Sequence, residues 1–396
     1  MQRTPQKEIG KRIGNLQSYL KKENVNSCLI LQNVDLFYFS GTIQRSYLFV
    51  PDEGDPLLMV QKDFDRATKE SPLKKILPIK RPKAISQILK KQGRLKRIGL
   101  EFDVLPVAQF RQLERMLPES EFVDISKAIK QVRMIKSPYE IGKLRHSAKI
   151  LDEVFEFARE VFKLGMTEIE AESRLIELGR HRGHQGLTRM RAWNQDMVNA
   201  CVLSGNSGSV ITHLDVSVIG PGISPAFPQG SSYKRIEKNV PIQIDFSIAY
   251  NGYITDGART YVIGTLPEKL LEAYEVILEI RGEMEKKAKP GLPCSDLYHL
   301  CSRIVKRRGL EDYFIGTKKD QASFVGHGIG LEIDEFPLLA RGFSQPLEIG
   351  MVFAFEPKFI FPEMGVVALE DDYVVTENGV EKLTHADDGI IAIEEP

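Results

Sequence analysis

Residues 241–264, PIQIDFSIAYNGYITDGARTYVIG, carry Asp245 and Asp256 on either side of Asn251-Gly252. Asn-Gly is a strong signal for a two-residue hairpin turn, because both central residues need positive φ. With that turn, Tyr250 pairs with Tyr253, Asp245 falls opposite Ala258, and Asp256 falls opposite Ser247. Side chains alternate faces along a strand. Asp256 and Ala258 therefore share a face, and Asp245 joins them as a diagonal neighbour, about 7 Å away at Cβ or somewhat less. Two carboxylates on one sheet face repel unless a cation lies between them. Both could instead face solvent, but the flanking Ile242, Ile244, Phe246 and Ile248 are apolar, which favours a metal site.

Three later segments extend the set. In Phe324-Val325-Gly326-His327-Gly328-Ile329-Gly330 a histidine stands between glycines, which let backbone approach closely. A structural histidine is the plainer alternative. Glu356 ends the apolar run Met351-Val352-Phe353-Ala354-Phe355, and Glu370 ends Val366-Val367-Ala368-Leu369. A glutamate in such a strand is costly unless it is paired or ligated. Glu356 and Glu370 face each other if the intervening loop is odd and centred on Glu363, for example Phe361–Gly365. Oxygen-rich ligation with one imidazole suits Mn, Co, Zn or Fe in a two-metal site. Such sites generate a hydroxide nucleophile and polarise a carbonyl.

The elements that must position these residues read as α+β. Ser137-Pro138-Tyr139-Glu140 and Thr167-Glu168-Ile169-Glu170 are capping boxes, opening helices to about Phe162 and His181. Thr265-Leu266-Pro267-Glu268 reads as a third box, and its helix stops at Lys289-Pro290-Gly291. Ser295 opens a fourth helix, ended by Gly309. Helices packed on an antiparallel sheet are expected over residues 133–396. Residues 1–132 differ: a helix over 7–22, strands Cys28–Leu31, Tyr47–Val50 and Pro56–Val60, a helix over 83–95 and strand Arg97–Leu100 suggest a small α/β domain with a parallel or mixed sheet. No catalytic motif stands there.

The 54 Lys plus Arg balance 54 Asp plus Glu, and this zero net charge argues against nucleic acid or an acidic membrane surface as partner. No apolar run is long enough to span a bilayer and no signal-peptide core stands at the N-terminus, so a cytoplasmic protein is expected. Cys28, Cys201, Cys294 and Cys301 form no CxxC pair and read as buried small hydrophobes.

In this order, the segments resemble the pita-bread metallopeptidase family, which includes methionine aminopeptidase, prolidase and Xaa-Pro aminopeptidase, with creatinase as a relative. The resemblance covers residues from about 133 to the end, and the leading part is similar to the N-terminal domain of the prolidase and creatinase branch. KSPYEIGKLRHSAKI at 136–150 looks like that branch's opening helix, and the spacing from Asp245 to Asp256, the GHGIG around His327, Glu356-Pro357 and Glu370-Asp371 carry the match. The resemblance implies that Asp245, Asp256, His327, Glu356 and Glu370 hold two divalent ions, manganese first, with cobalt, zinc or iron as alternatives. It also implies that Glu356 accepts a proton from the attacking water, and that the chain is a homodimer.

Three departures accompany the match. Where the family has a histidine seven residues after the metal histidine, this sequence has Asp334; near the usual position of a second catalytic histidine, it has Gln229. Threonine two residues after the second aspartate is replaced by Ala258. Gln229 can donate through its amide, and Asp334 only when protonated. His213 is a further histidine that a loop could return to the site, and Arg189 or Arg191 could bind a substrate carboxylate. The resulting expectation is a dinuclear hydrolase similar to a Xaa-Pro aminopeptidase or dipeptidase, with Glu356, Asp334 and Gln229 as catalytic groups. The alternatives are an enzyme on the same scaffold that cleaves a C–N bond in a specialised small molecule, and a metal-binding homologue without activity.

Overall fold

The structure is a computed structural model that describes residues 3–394 apart from 82, 215–217, 319 and the side chain of Lys83. The chain forms two compact units, Met1–Arg133 and Met134–Pro396.

The first unit is α/β. A six-stranded mixed sheet runs in the order Ile76–Pro78, Leu57–Val60, Ser46–Pro51, Ser27–Ile30, Arg97–Leu100, Glu121–Asp124. The helix Gln6–Lys22 buries Ile9, Ile13, Leu16 and Leu20, an apolar stripe at helical spacing. Inside this unit the buried Arg133 guanidinium pairs with Asp35 at 2.7 Å.

The second unit is the α+β pita-bread fold. Helices Pro138–Val161 and Glu168–Arg182 start at the two predicted capping boxes, each with both reciprocal hydrogen bonds present. They pack on a four-stranded sheet ordered Ile391–Ile393, Ala258–Ile263, Ile242–Phe246, Ala200–Ser204. Helices Glu268–Lys287 and Cys294–Arg308 pack on a five-stranded sheet ordered Glu335–Ala340, Phe324–Gly328, Val352–Phe355, Asp371–Thr376, Gly379–Lys382. An isolated bridge between Ala258 and Glu370 joins the two systems.

Two helix starts differ from expectation. Thr265 is not a cap: the helix begins at Glu268 behind Pro267 with no side-chain cap bond, and the Thr265 amide donates to Asn239 Oδ1 at 2.8 Å. Pro293 likewise precedes the helix that begins at Cys294, one residue before Ser295. Proline holds φ near the helical value without a capping side chain. All four cysteines are buried and free. Burial raises the Cys294 thiol to about 12, so it stays protonated at neutral pH.

Candidate metal centre

Strand parity decides what each sheet presents to the site. Ile242, Ile244 and Phe246 pack against Leu151, Phe155 and Leu175 of the two helices, so Asp245 points from the opposite face. Phe353, Phe355, Phe359 and Phe361 join the core beneath the other helix pair, so Glu356 and Lys358 point away from it. Tyr373 and Val375 do the same and leave Glu370 and Asp372 on the site side.

Both predicted registers are present. Tyr250 pairs with Tyr253, and Asp245 with Ala258. The ladder breaks between these pairs, where Phe246 N donates to Gly257 O at 2.9 Å, and Asp256 leaves the regular strand at this break. On the other side, Phe355 pairs with Asp371 and Lys358 with Ala368, so the same register holds on both flanks of Glu356 and Glu370. Phe361 pairs with Gly365, and Glu363 at the turn centre takes φ 67°. His327 lies on a strand whose backbone is closely approached: a Cβ at Gly326 would meet Ala354 O at 2.4 Å, and one at Gly328 would meet Phe336 O at 2.2 Å. No residue other than glycine fits either flank.

These elements bring His327 Nε2 to 3.6 Å from Glu356 Oε1, 3.9 Å from Glu370 Oε1 and 4.0 Å from Asp256 Oδ2. Ligands bound to one ion at roughly 2.0–2.2 Å stand about 3–4 Å from one another. Asp256, His327 and Glu370 are all buried, and one donor atom of each lies within 4.8 Å of the others. The donor set therefore fits a divalent ion. Asp256 is held from behind: its backbone N–H donates to Asp372 Oδ2 at 3.0 Å, and the Thr255 hydroxyl donates to the same oxygen.

Burial, then the charges of Asp245, Asp372 and Glu356, hold Asp256 well above the ordinary carboxylate range. Burial, with Asp256 and Glu356, does the same to Glu370. Asp245 is raised mainly by burial, against a downward pull from Lys358. Crowded buried carboxylates of this kind stabilise a cation among them.

One cation is supplied by the chain itself. Lys358 is buried, and its Nζ lies 2.7 Å from Glu356 Oε2 and 4.0 Å from Asp245 Oδ2. Burial disfavours its charge, but Glu356, Asp245 and Glu370 outweigh that and hold its pKa above that of an ordinary lysine. No ligand pattern marks Lys358 in the sequence, but strand parity does: it stands two residues after Glu356, hence on the same strand face, in the apolar run FAFEPKFIF.

The other expected residues divide. Asp334 Oδ1 lies 3.4 Å from His327 Nδ1, and its backbone takes φ 61°. It thus stands behind the ring, where a carboxylate orients a ligating histidine. Asp334→Asn should weaken metal affinity about 10–100-fold. Titration against a fluorescent chelator measures this, and unchanged affinity would remove Asp334 from that role. Gln229 is not aimed into the site. Its Nε2 donates to Asp196 O at 2.7 Å and its Oε1 accepts from Val198 N at 3.3 Å, so the amide is committed to holding that loop.

His213 is exposed and lies beside Thr212, away from the cleft lining. Arg191 has a buried side chain 3.9 Å from Glu332 Oε2. Arg189 meets the cleft rim through its backbone, its carbonyl accepting from Ile333 N at 2.7 Å. Beyond the charged groups the cleft is lined by Met197, Val218, Ile219, Phe324 and Ile333. Val218 and Ile219 come from an irregular stretch that no periodicity marks.

Residues 142–377 match metallopeptidase family M24, and residues 12–135 match the creatinase/prolidase N-terminal domain. The Xaa-Pro dipeptidase of Pyrococcus furiosus is 29% identical over 376 residues, covering 94% of this chain and 97% of that protein. The solved structure of the prolidase from Pyrococcus horikoshii aligns with a TM-score of 0.81 at 26% identity, over 96% of this chain and 100% of that one. The Xaa-Pro dipeptidase from Bacillus anthracis aligns with a TM-score of 0.84 at 25% identity, over 97% and 99%.

Proposed function

The chain belongs to metallopeptidase family M24 and is a peptidase-like hydrolase, and from that premise we propose that it cleaves the amide bond of a small Xaa-Pro peptide with a divalent metal ion held by Asp256, His327 and Glu370, with Glu356 beside it. The observation that carries this reading is the placement of three carboxylate oxygens 3.6–4.0 Å from His327 Nε2 in a buried cleft. Manganese is the first choice of ion for such oxygen-rich ligation.

A bound divalent ion supplies Lewis acidity, polarising the scissile carbonyl and making a neighbouring water easier to deprotonate. Glu356 takes that proton and passes it to the leaving nitrogen. Lys358 holds Glu356 by its other oxygen, so Oε1 is the one left to face the reacting water. Asp334 fixes the His327 ring. The apolar rim excludes bulk water and receives uncharged side chains.

The test is reconstitution of stripped protein with Mn, Co or Zn, assayed against Xaa-Pro dipeptides and longer Xaa-Pro peptides. Hydrolysis that appears with metal and disappears with chelator is expected. A metal-loaded protein inert on the whole panel would favour a second reading, cleavage of a C–N bond in a non-peptide substrate. That reading draws on Gln229 and Asp334: the amide of one is committed to a loop, and the other stands behind His327.

A further inference from the structure

Lys358 stands where the carboxylates of Asp245 and Glu356 converge, and the three residues reach this point from two different strand pairs. Asp245 comes from Ile242–Phe246, Lys358 opens Lys358–Phe361, and Glu356 lies between Val352–Phe355 and that strand. The ammonium is 2.7 Å from one Glu356 oxygen, while the other faces His327. Among the described residues, the donors able to share one ion are Asp256, His327 and Glu370, and Asp245 is not one of them. Asp245 thus turns to the ammonium, and the remaining acids turn to the imidazole.

We propose that Lys358 provides the second positive charge of this site, so that each chain binds one divalent ion, at Asp256, His327 and Glu370, rather than two. The inference rests on the reading of the site as a metal centre. It follows from position and charge. Bonded to Glu356 Oε2 and facing Asp245, the ammonium stands at the position a second ion needs to use the same oxygens. A divalent ion beside it would be repelled at close range with little water to screen the charges. The side chain has no easy retreat, since its strand is paired along its length with Gly365–Ala368 and its neighbours Phe359 and Phe361 are fixed in the core. The charge a second metal would offer to a substrate carbonyl or a developing oxyanion comes here from a fixed ammonium.

The experiment counts metal. Full-length protein and Lys358→Ala are stripped with chelator, loaded with excess Mn(II), desalted and measured by atomic emission. Electron paramagnetic resonance distinguishes an isolated Mn(II) from a coupled pair. One isolated ion per wild-type chain and two coupled ions per Lys358→Ala chain are expected. Two ions in the wild type would overturn the proposal while leaving the metal reading intact, as would a single ion in a folded Lys358→Ala. No retained ion in either protein would overturn the metal reading itself and this proposal with it. The wild-type count and spectrum decide even where the variant fails to fold.

Discussion

Glu356→Gln should lower kcat by about 10²–10⁴-fold, the usual contribution of a general base, and should also destabilise the fold. Both effects come from how its two oxygens are used. Oε1 lies 3.6 Å from His327 Nε2, on the side where water would be deprotonated. Oε2 lies 2.7 Å from the buried Lys358 ammonium. The amide cannot take the proton, and it no longer neutralises the lysine. Breaking a buried pair from one side costs about 3–5 kcal/mol. Asp245, at 4.0 Å from the same ammonium, keeps part of that compensation and argues for the lower end. At about 2–4 °C per kcal/mol, the expected fall in Tm is roughly 6–12 °C. The two roles separate experimentally. Rates measured well below the variant's Tm report the base, and melting of the metal-free protein reports the pair. A kcat within threefold of wild type would remove Glu356 from proton transfer, and an unchanged Tm would remove it from the ion pair.

The carboxylate positions were legible in the sequence because turns set their register. Asn251-Gly252 permits one tight pairing, and that pairing carries Asp245 to Ala258 even though the ladder breaks near Asp256. Glu363 plays the same part for Glu356 and Glu370, with left-handed backbone at the turn centre. Lys358 follows from the same parity rule, but a lysine is not a metal-ligand type, so the ligand pattern does not mark it. Gln229 and Arg191 went elsewhere for a different reason. Each is a buried polar group whose partners, the backbone of Asp196 and Val198 and the carboxylate of Glu332, lie far away in sequence or in loops without periodicity. Local pattern carries no information about such pairings. The missed cap at Thr265 is similar: its amide bonds to Asn239, a tertiary contact that overrides a local motif.

The largest effect on stability should come from Arg259, a residue that neither ligates nor touches substrate. Its side chain is fully buried and every donor group is used. Nε donates to Asp387 O at 2.8 Å, one terminal nitrogen donates to Ala258 O at 2.9 Å and Glu370 O at 2.8 Å, and the other donates to Asp371 Oδ1 at 2.7 Å and Ala386 O at 3.2 Å. The guanidinium therefore ties together the isolated bridge that carries Glu370, the strand that follows it and the C-terminal loop. Arg259→Ala leaves the buried Asp371 with Thr384 Oγ1 and Lys382 as its remaining partners, and leaves several carbonyls without a donor. Losing one side of a buried pair costs about 3–5 kcal/mol, and each carbonyl left unsatisfied adds about 1–3 kcal/mol where water does not enter. A fall in Tm of more than roughly 10 °C is expected. Arg259→Lys should recover less than half of it, because an ammonium has three donors and cannot reproduce the planar fork. Metal affinity should fall in the same variants, since the Glu370 backbone is fixed through its carbonyl. A Tm within 2 °C of wild type for Arg259→Ala would show that the bridge between the two sheet systems is held without this guanidinium. A lowered Tm with unchanged metal affinity would show that Glu370 keeps its place independently of it.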